Sequence, residues 1–291
     1  EEADEIKPHP YGVEVGMLLR MTKVTSSRQL KGFFQSEFSR VGPKAATAII
    51  NGAGLLPTTS PKRVTPEAAE RLIAVIRETK IPSPPTNCLS PIGEERILAS
   101  LEEQFEGAGF YTAVTRTPSV YRGNPFQVEV GIAYGGSLPA DELATVYRYA
   151  NRVPLQYQAG ACAISKAVLQ TNWRSYGMQQ SRGALPTAPM VVMVHVASVW
   201  VPFTSESKEA IAAYDEILKD LKLALQESGR KLGRFIRRGQ RERDEAKKRA
   251  YIDKYIPHVG MALREILDLT PIEEEEIIAT LSDTLERSRK I

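Results

Sequence analysis

Apolar residues recur with more than one period along the chain, and the changes of period divide it. From Val13 to about Arg77 they follow helical spacing, punctuated by Gly12, Gly32, Gly42, Gly52 and Gly54. Phe34 to Val41 reads as an apolar turn, Gly42-Pro43 as a break, and Lys44 to Ile50 as a restarted helix rich in Ala and Ile. Proline suits a first helical position, because its missing N–H would have no partner there. Thr65-Pro66-Glu67 predicts another start, with Thr65 as N-cap and Pro66 as first helical residue. Ile81-Pro-Ser-Pro-Pro-Thr-Asn87 cannot sustain a helix and predicts a stiff linker. Beyond it the period shortens. Val128, Val130, Ile132 and Tyr134 alternate with Gln127, Glu129, Gly131 and Ala133, which predicts a strand. Met190 to Val201 is β-branched and nearly continuous, as in a strand covered on both faces. Gly160 to Gln170 between them predicts an Ala-rich helix, so this middle region reads as an α/β layer.

The last third returns to helical spacing. Ile211, Tyr214, Leu218, Leu221, Leu225 and Leu232 form one stripe, predicting a long helix that starts near Ser207. Gly229, Gly233 and Gly239 each cost about 1 kcal/mol relative to Ala in a helix interior, so a bend or an end is expected there. Two shorter helices are expected next, Glu245 to Leu267 with a break near Pro257, and Pro271 to Arg289. Residues 1–10 are polar and read as a linker.

Composition narrows the function classes. The 291 residues contain no apolar run long enough to cross a membrane as a helix. Two cysteines, Cys88 and Cys162, exclude a disulfide scaffold and a four-cysteine zinc site, and suit a reducing compartment. The chain opens on Glu1 without a signal-peptide pattern, as expected of a mature product or a piece of something longer. Net charge is only +3, but its distribution is uneven. Residues 230–250 hold ten basic and three acidic side chains, while 265–291 hold eight acidic and three basic ones. Different partners for the two segments are one reading, and solvated helix faces the other.

Motifs of self-contained catalysis are missing. No phosphate loop, strand-linked GxGxxG, HExxH, CxxC or GxSxG occurs. Asn51-Gly-Ala-Gly54 lies between helices and lacks a following lysine. His9, His195 and His258 are scattered, and His195, mid-strand, reads as a structural histidine.

Five segments carry a resemblance: Pro8-His-Pro-Tyr-Gly-Val-Glu-Val-Gly16, Cys88-Leu-Ser-Pro-Ile-Gly-Glu94, Asn124-Pro-Phe-Gln-Val-Glu-Val-Gly-Ile-Ala-Tyr-Gly-Gly136, Asn151-Arg-Val-Pro-Leu-Gln-Tyr-Gln-Ala-Gly-Ala-Cys-Ala-Ile164 and Val201-Pro-Phe-Thr-Ser-Glu-Ser-Lys-Glu-Ala-Ile211. In this order and spacing they closely resemble the B subunits of DNA topoisomerase VI, the archaeal type IIB enzyme, over nearly the whole chain. The family's ATPase motifs (ExxxNxxDA, DxGxG and a Gly-rich lid) do not occur, so the chain resembles the part that follows the ATPase domain.

The fold implied is α+β: a linker at 1–11, an all-α helix–two-turn–helix domain at 12–80, a Pro-rich linker at 81–87, a transducer with a ribosomal-protein-like β-α-β fold at 88–206, and a stalk with C-terminal helices at 207–291. The resemblance implies coupling. Two B subunits clamp on ATP and magnesium, the transducer passes the closure to the DNA-cleaving A subunits, and one duplex passes through a break in another. Implied partners are the topoisomerase VI A subunit through the C-terminal helices, a second B subunit, and double-stranded DNA, with cytoplasmic, nucleoid-associated placement and no membrane. By itself this chain is expected neither to hydrolyse ATP nor to cleave DNA, and no catalytic residue or metal ligand is expected in it.

By the same resemblance Lys208 matches the switch lysine that reaches the ATP γ-phosphate. On residues alone the reading that wins is an exposed lysine in a helix's first turn. Trp173-Arg174-Ser175-Tyr176 resembles a W(K/R)xY element that touches DNA, although aromatics near a helix end often belong to a core. Arg40 and Lys44 flank the Gly42-Pro43 turn, where free N–H groups and charge suit an anion, although Pro43 removes one donor and a purely structural turn is the other reading. Arg230, Arg234, Arg237, Arg238 and Arg241 share one helical face beside Lys231, an electrostatic footprint for duplex or a solubilising surface. A free-standing DNA-binding or assembly module is the alternative to the topoisomerase reading. The transducer of another clamp ATPase fits less well, because such relatives lack the helical domain.

Overall fold

The computed structural model describes residues 6–287. Two compact units divide at Leu232/Gly233.

The first unit opens with four helices: α1 (Val15–Val24), α2 (Leu30–Glu37), α3 (Pro43–Gly52) and α4 (Pro66–Glu78). Their apolar stripes meet in one core containing Leu18, Phe33, Phe34, Ile50, Leu72 and Ile76. The capping signals act as the sequence predicts. Gly42 is the N-cap of α3 with Pro43 first in the helix, and the Thr65 side chain accepts the Ala68 N–H at the start of α4. Gly32, expected as punctuation, instead lies inside α2. The polar start of the chain is also more than a linker. His9 and Pro10 are buried, and His9 Nε2 donates to the Pro82 carbonyl at 3.0 Å.

A sheet follows. Helix α5 (Glu94–Gln104) precedes β1 (Phe110–Thr115), β2 (Ser119–Tyr121) and β3 (Asn124–Tyr134). Then come β4 (Thr145–Ala150), β5 (Val153–Pro154), α6 (Ala163–Gln170), a small hairpin of β6 (Gln179–Gln180) and β7 (Pro186–Thr187), and β8 (Met190–Ser198). Strand order is β1-β3-β8-β4-β5, with β2 also on β3. Among the described residues only β4 and β8 run parallel, joined by the crossover that contains α6. Helix α5 lies on one face, with Ile97 and Leu101 against Ala113 and Met193. Gly131 makes that approach possible, since a Cβ there would sit 2.6 Å from Ile97 Cγ2.

The alternation in β3 is real, but its second face is not solvent. Glu129 is fully buried, because α5 and the segment before it cover that side.

The long helix, α7 (Asp215–Leu267), corrects the expected boundaries at both ends. It starts at Asp215 rather than Ser207, because residues 203–211 close a loop through the Phe203–Ile211 bridge and the Thr204 N–H to Ala210 carbonyl bond. Ile211 and Tyr214 thus precede the helix, and Ile217, Leu221, Ala224, Leu225 and Leu232 form its buried stripe. Buried Ser228 is satisfied by the Ala224 carbonyl. Neither the three glycines nor Pro257 ends α7. The proline removes one N–H donor from the helix interior.

Within the second unit, α8 (Pro271–Arg287) begins with a capping box: Thr270 N–H donates to Glu273 at 2.7 Å, and Glu273 N–H returns to Thr270 Oγ1. The sequence expectation that α8 reaches Arg289 falls partly outside the described residues. Among those residues, no helix is long and apolar enough to cross a membrane.

Candidate nucleic-acid interface and sensing loop

A buried polar node lies within the sheet of the first unit. Glu129 on β3 and His195 on β8 are cross-strand partners, both 0% exposed, with Nδ1 and Oε2 2.7 Å apart. Glu129 also accepts the N–H groups of Ile92 and Gly93 and the Thr115 hydroxyl, at 2.7, 2.8 and 2.8 Å. Burial alone would push its carboxyl pKa up, but the His195 bond and these three donors outweigh it and hold the pKa below the usual value. His195 Nε2 accepts the Arg152 N–H at 3.0 Å, so the ring keeps its proton on Nδ1 and donates to Glu129. The Arg152 side chain closes the circuit on Ser90 Oγ and the Pro91 carbonyl. Three of the quoted sequence segments therefore converge on one carboxylate. His195 is structural, as its mid-strand position suggests. Spacing holds no sign of Glu129, which reads as an ordinary polar residue of an alternating strand.

Lys208 sits at the tip of the 203–211 loop, exposed, with φ +56°. It is not in a helix's first turn. The Lys208 N–H bonds the Ser205 carbonyl at 3.2 Å, and the Ala212 N–H bonds that of Pro202 at 2.7 Å. The loop is tied to the 158–163 segment by the Ala163 N–H to Ile211 carbonyl bond, 2.8 Å, and by Gln158 Nε2 to Glu209, 2.7 Å. The ammonium group thus projects from a braced base, with α7 beginning seven residues later.

The Trp173–Tyr176 element is a 3-10 turn after α6. Trp173 cannot contact DNA: it is 0% exposed and its Nε1 donates to the Val168 carbonyl at 2.9 Å. Tyr176 is half-buried, edge-on to Trp173. Arg174 is exposed, its Nε donating to the Gln180 carbonyl at 2.6 Å. The tryptophan anchors the turn, and Arg174 is its accessible charge.

Arg40 (φ +62°) and Lys44 are both exposed at the turn into α3. On α7, Arg230, Arg234, Arg237, Arg238 and Arg241 are exposed and the helix is continuous through them, so their spacing keeps them on one face. Arg238 pairs with Glu242 at 2.9 Å, an exposed i,i+4 contact worth little by itself. Lys231 differs: its Nζ donates to the Ala113 carbonyl on β1 at 2.9 Å, which makes it a tether. Among the described residues no His, Cys, Asp and Glu side chains gather in threes as a metal site requires.

Comparison with known proteins agrees with these segments. The family described as topoisomerase VI B subunit, transducer, matches residues 84–248. The B subunit of type 2 DNA topoisomerase 6 from Archaeoglobus fulgidus is 45% identical over 98% of this chain and 47% of its own length. Its namesake from Methanococcoides burtonii is 44% identical over 93% and 44%, and that from Methanosarcina acetivorans 40% identical over 100% and 47%. The chain spans about half the length of these curated relatives. It belongs to the topoisomerase VI B-subunit family, and its mixed helix-and-sheet region includes that family's transducer.

Proposed function

We propose that this chain is the coupling and DNA-sensing part of a type IIB topoisomerase B subunit, the part that follows the ATPase domain. It transmits ATP-driven closure of two B subunits to the DNA-cleaving A subunits, so that one duplex passes through a double-strand break. The observation that carries this reading is the braced loop. Lys208 stands at its tip, and backbone hydrogen bonds connect its base to the start of α6 and to the residues leading into α7. A terminal phosphate captured by the ammonium group would pull on that base. A contact made in only one nucleotide state shifts a conformational equilibrium by its differential affinity.

Of the residues present, Lys208 fits one contact to ATP. The remaining contacts and magnesium are assigned to the ATPase domain, and DNA cleavage to the A subunits. DNA would be met by Arg174, Arg40, Lys44 and the α7 arginines, and the A subunits by the C-terminal helices. The exposed arginine stripe by itself would equally suit a free-standing DNA-binding module.

One experiment separates the two readings. The intact B subunit with Lys208→Ala is assembled with its A partner, then assayed for ATP-dependent closure and relaxation. Coupling requires that closure and relaxation fall together while assembly and duplex affinity persist. A protein that neither assembles with the A subunits nor responds to this substitution is a binding module.

A further inference from the structure

A second surface on the first unit has the composition of a nucleotide site. Between the start of the helical region and the β2–β3 hairpin lies a cleft of about 440 Å3, whose lining includes Met17, Arg20, Arg122, Asn124 and Trp200. The hairpin turn places Arg122 and Gly123 in the left-handed region (φ +45° and +73°), the geometry of a two-residue hairpin turn. That turn is fixed against the helical region, since a Cβ on Gly123 would lie 2.7 Å from the Gly12 nitrogen. The cleft is therefore part of one packed unit.

Trp200, in the lining, belongs to an aromatic row whose other members, Tyr121 and Tyr214, lie outside it. Tyr121 stacks on Tyr214 at 4.6 Å and lies nearly parallel to Trp200, 13° apart, with centroids separated by 6.4 Å. The Arg122 guanidinium covers both tyrosines, at 5.4 and 5.5 Å. Trp200 ends this row and is 48% exposed, whereas Trp173 is wholly buried. An exposed indole beside two arginines offers a π-face and a positive field together. Glu14 is the carboxylate among the lining residues, and it stands exposed without a capping bond.

We propose that this cleft binds an unpaired nucleotide, with the base against Trp200 and the phosphate between Arg20 and Arg122. Stacking on aromatic side chains with cationic support is how proteins hold bases that have left a duplex. A paired base keeps its faces within the duplex stack and cannot enter. The inference rests on the DNA-handling reading above and gives it a single-stranded component.

The test uses the 291-residue chain with fluorescein-labelled oligothymidylate, a duplex of equal length, and deoxyadenosine monophosphate as competitor. Trp200→Leu, Arg122→Gln and Arg20→Gln are expected to weaken single-strand binding by about tenfold each and leave duplex affinity within about twofold. Glu14→Gln should tighten it. Indole fluorescence should be quenched by single strand, and that quenching should vanish in Trp200→Leu, since buried Trp173 remains as an internal reference. The mononucleotide in large excess should displace the oligomer, because one base and one phosphate fill the cleft. Failure of that competition would overturn the proposal. So would unchanged single-strand affinity in both Trp200→Leu and Arg20→Gln, or an equal loss on duplex. Arg234/Arg237/Arg238→Ala, measured alongside, reports on duplex binding separately, so failure of the broader DNA reading is distinguishable from failure of this site.

Discussion

Tyr176 lies directly against Gly229: its ring occupies the place where a Cβ on Gly229 would project from α7. A helix-interior glycine that local propensity disfavours is thus required by the neighbouring turn. Gly229→Ala gains up to about 1 kcal/mol of helix propensity and overpacks the ring at about 1–3 kcal/mol. The expected result is net destabilisation in urea melts. Combined with Tyr176→Ala the penalty should disappear, a non-additivity that a double-mutant cycle measures. Additive effects would show that the ring yields freely.

Trp173 and Arg174 should separate stability from DNA affinity. Trp173→Ala empties a fully buried site and should cost about 3–5 kcal/mol. Trp173→Phe keeps most of the volume and loses the bond to Val168, so a smaller cost is expected, with duplex affinity unchanged. Arg174→Gln should do the reverse, lowering duplex affinity with the melting curve unmoved.

The Glu129 node predicts a pH dependence with a definite sign. Its pKa is lowered by folding, so its contribution to stability is complete above the ordinary carboxylate value of about 4.3 and is lost as pH falls through the lower folded value. Glu129→Ala at neutral pH leaves buried donors unmatched and should cost about 3–5 kcal/mol. The difference between wild type and this variant should narrow in denaturation curves taken below the ordinary carboxylate pKa. A gap that widens in acid would contradict the assignment.

Salt should report on the α7 stripe. Each phosphate contact contributes about 0.9 to the slope of log affinity against log salt. Replacing Arg234, Arg237 and Arg238 with alanine should flatten the duplex slope by up to about 2.7. Lys231→Ala should instead lower stability, because its ammonium group is engaged with Ala113.

Gly131→Ala tests the seat of α5. The added methyl would press on Ile97 and Leu101 at 2.6 and 2.8 Å, and about 1–3 kcal/mol of destabilisation is expected in thermal melts. An unchanged melt would mean that α5 moves away without loss.

Local chemistry determined much of this protein. Thr65 with Pro66, and Gly42 with Pro43, start helices where their missing or supplied hydrogen bonds require it, and β-branched runs become central strands. Five ordered segments were enough to indicate the family. Spacing alone could not show that Trp173 is an anchor, that Glu129 is buried, or that Lys208 belongs to a loop that delays α7 until Asp215. The last two depend on residues distant in the chain: Glu129 on Ile92, Gly93 and His195, and the loop on Ala163 and Gln158. A residue's own sequence neighbourhood sets its period and its caps. Whether its polar atoms face water or a buried partner is settled only when the covering element packs, and that decision belongs to the tertiary structure.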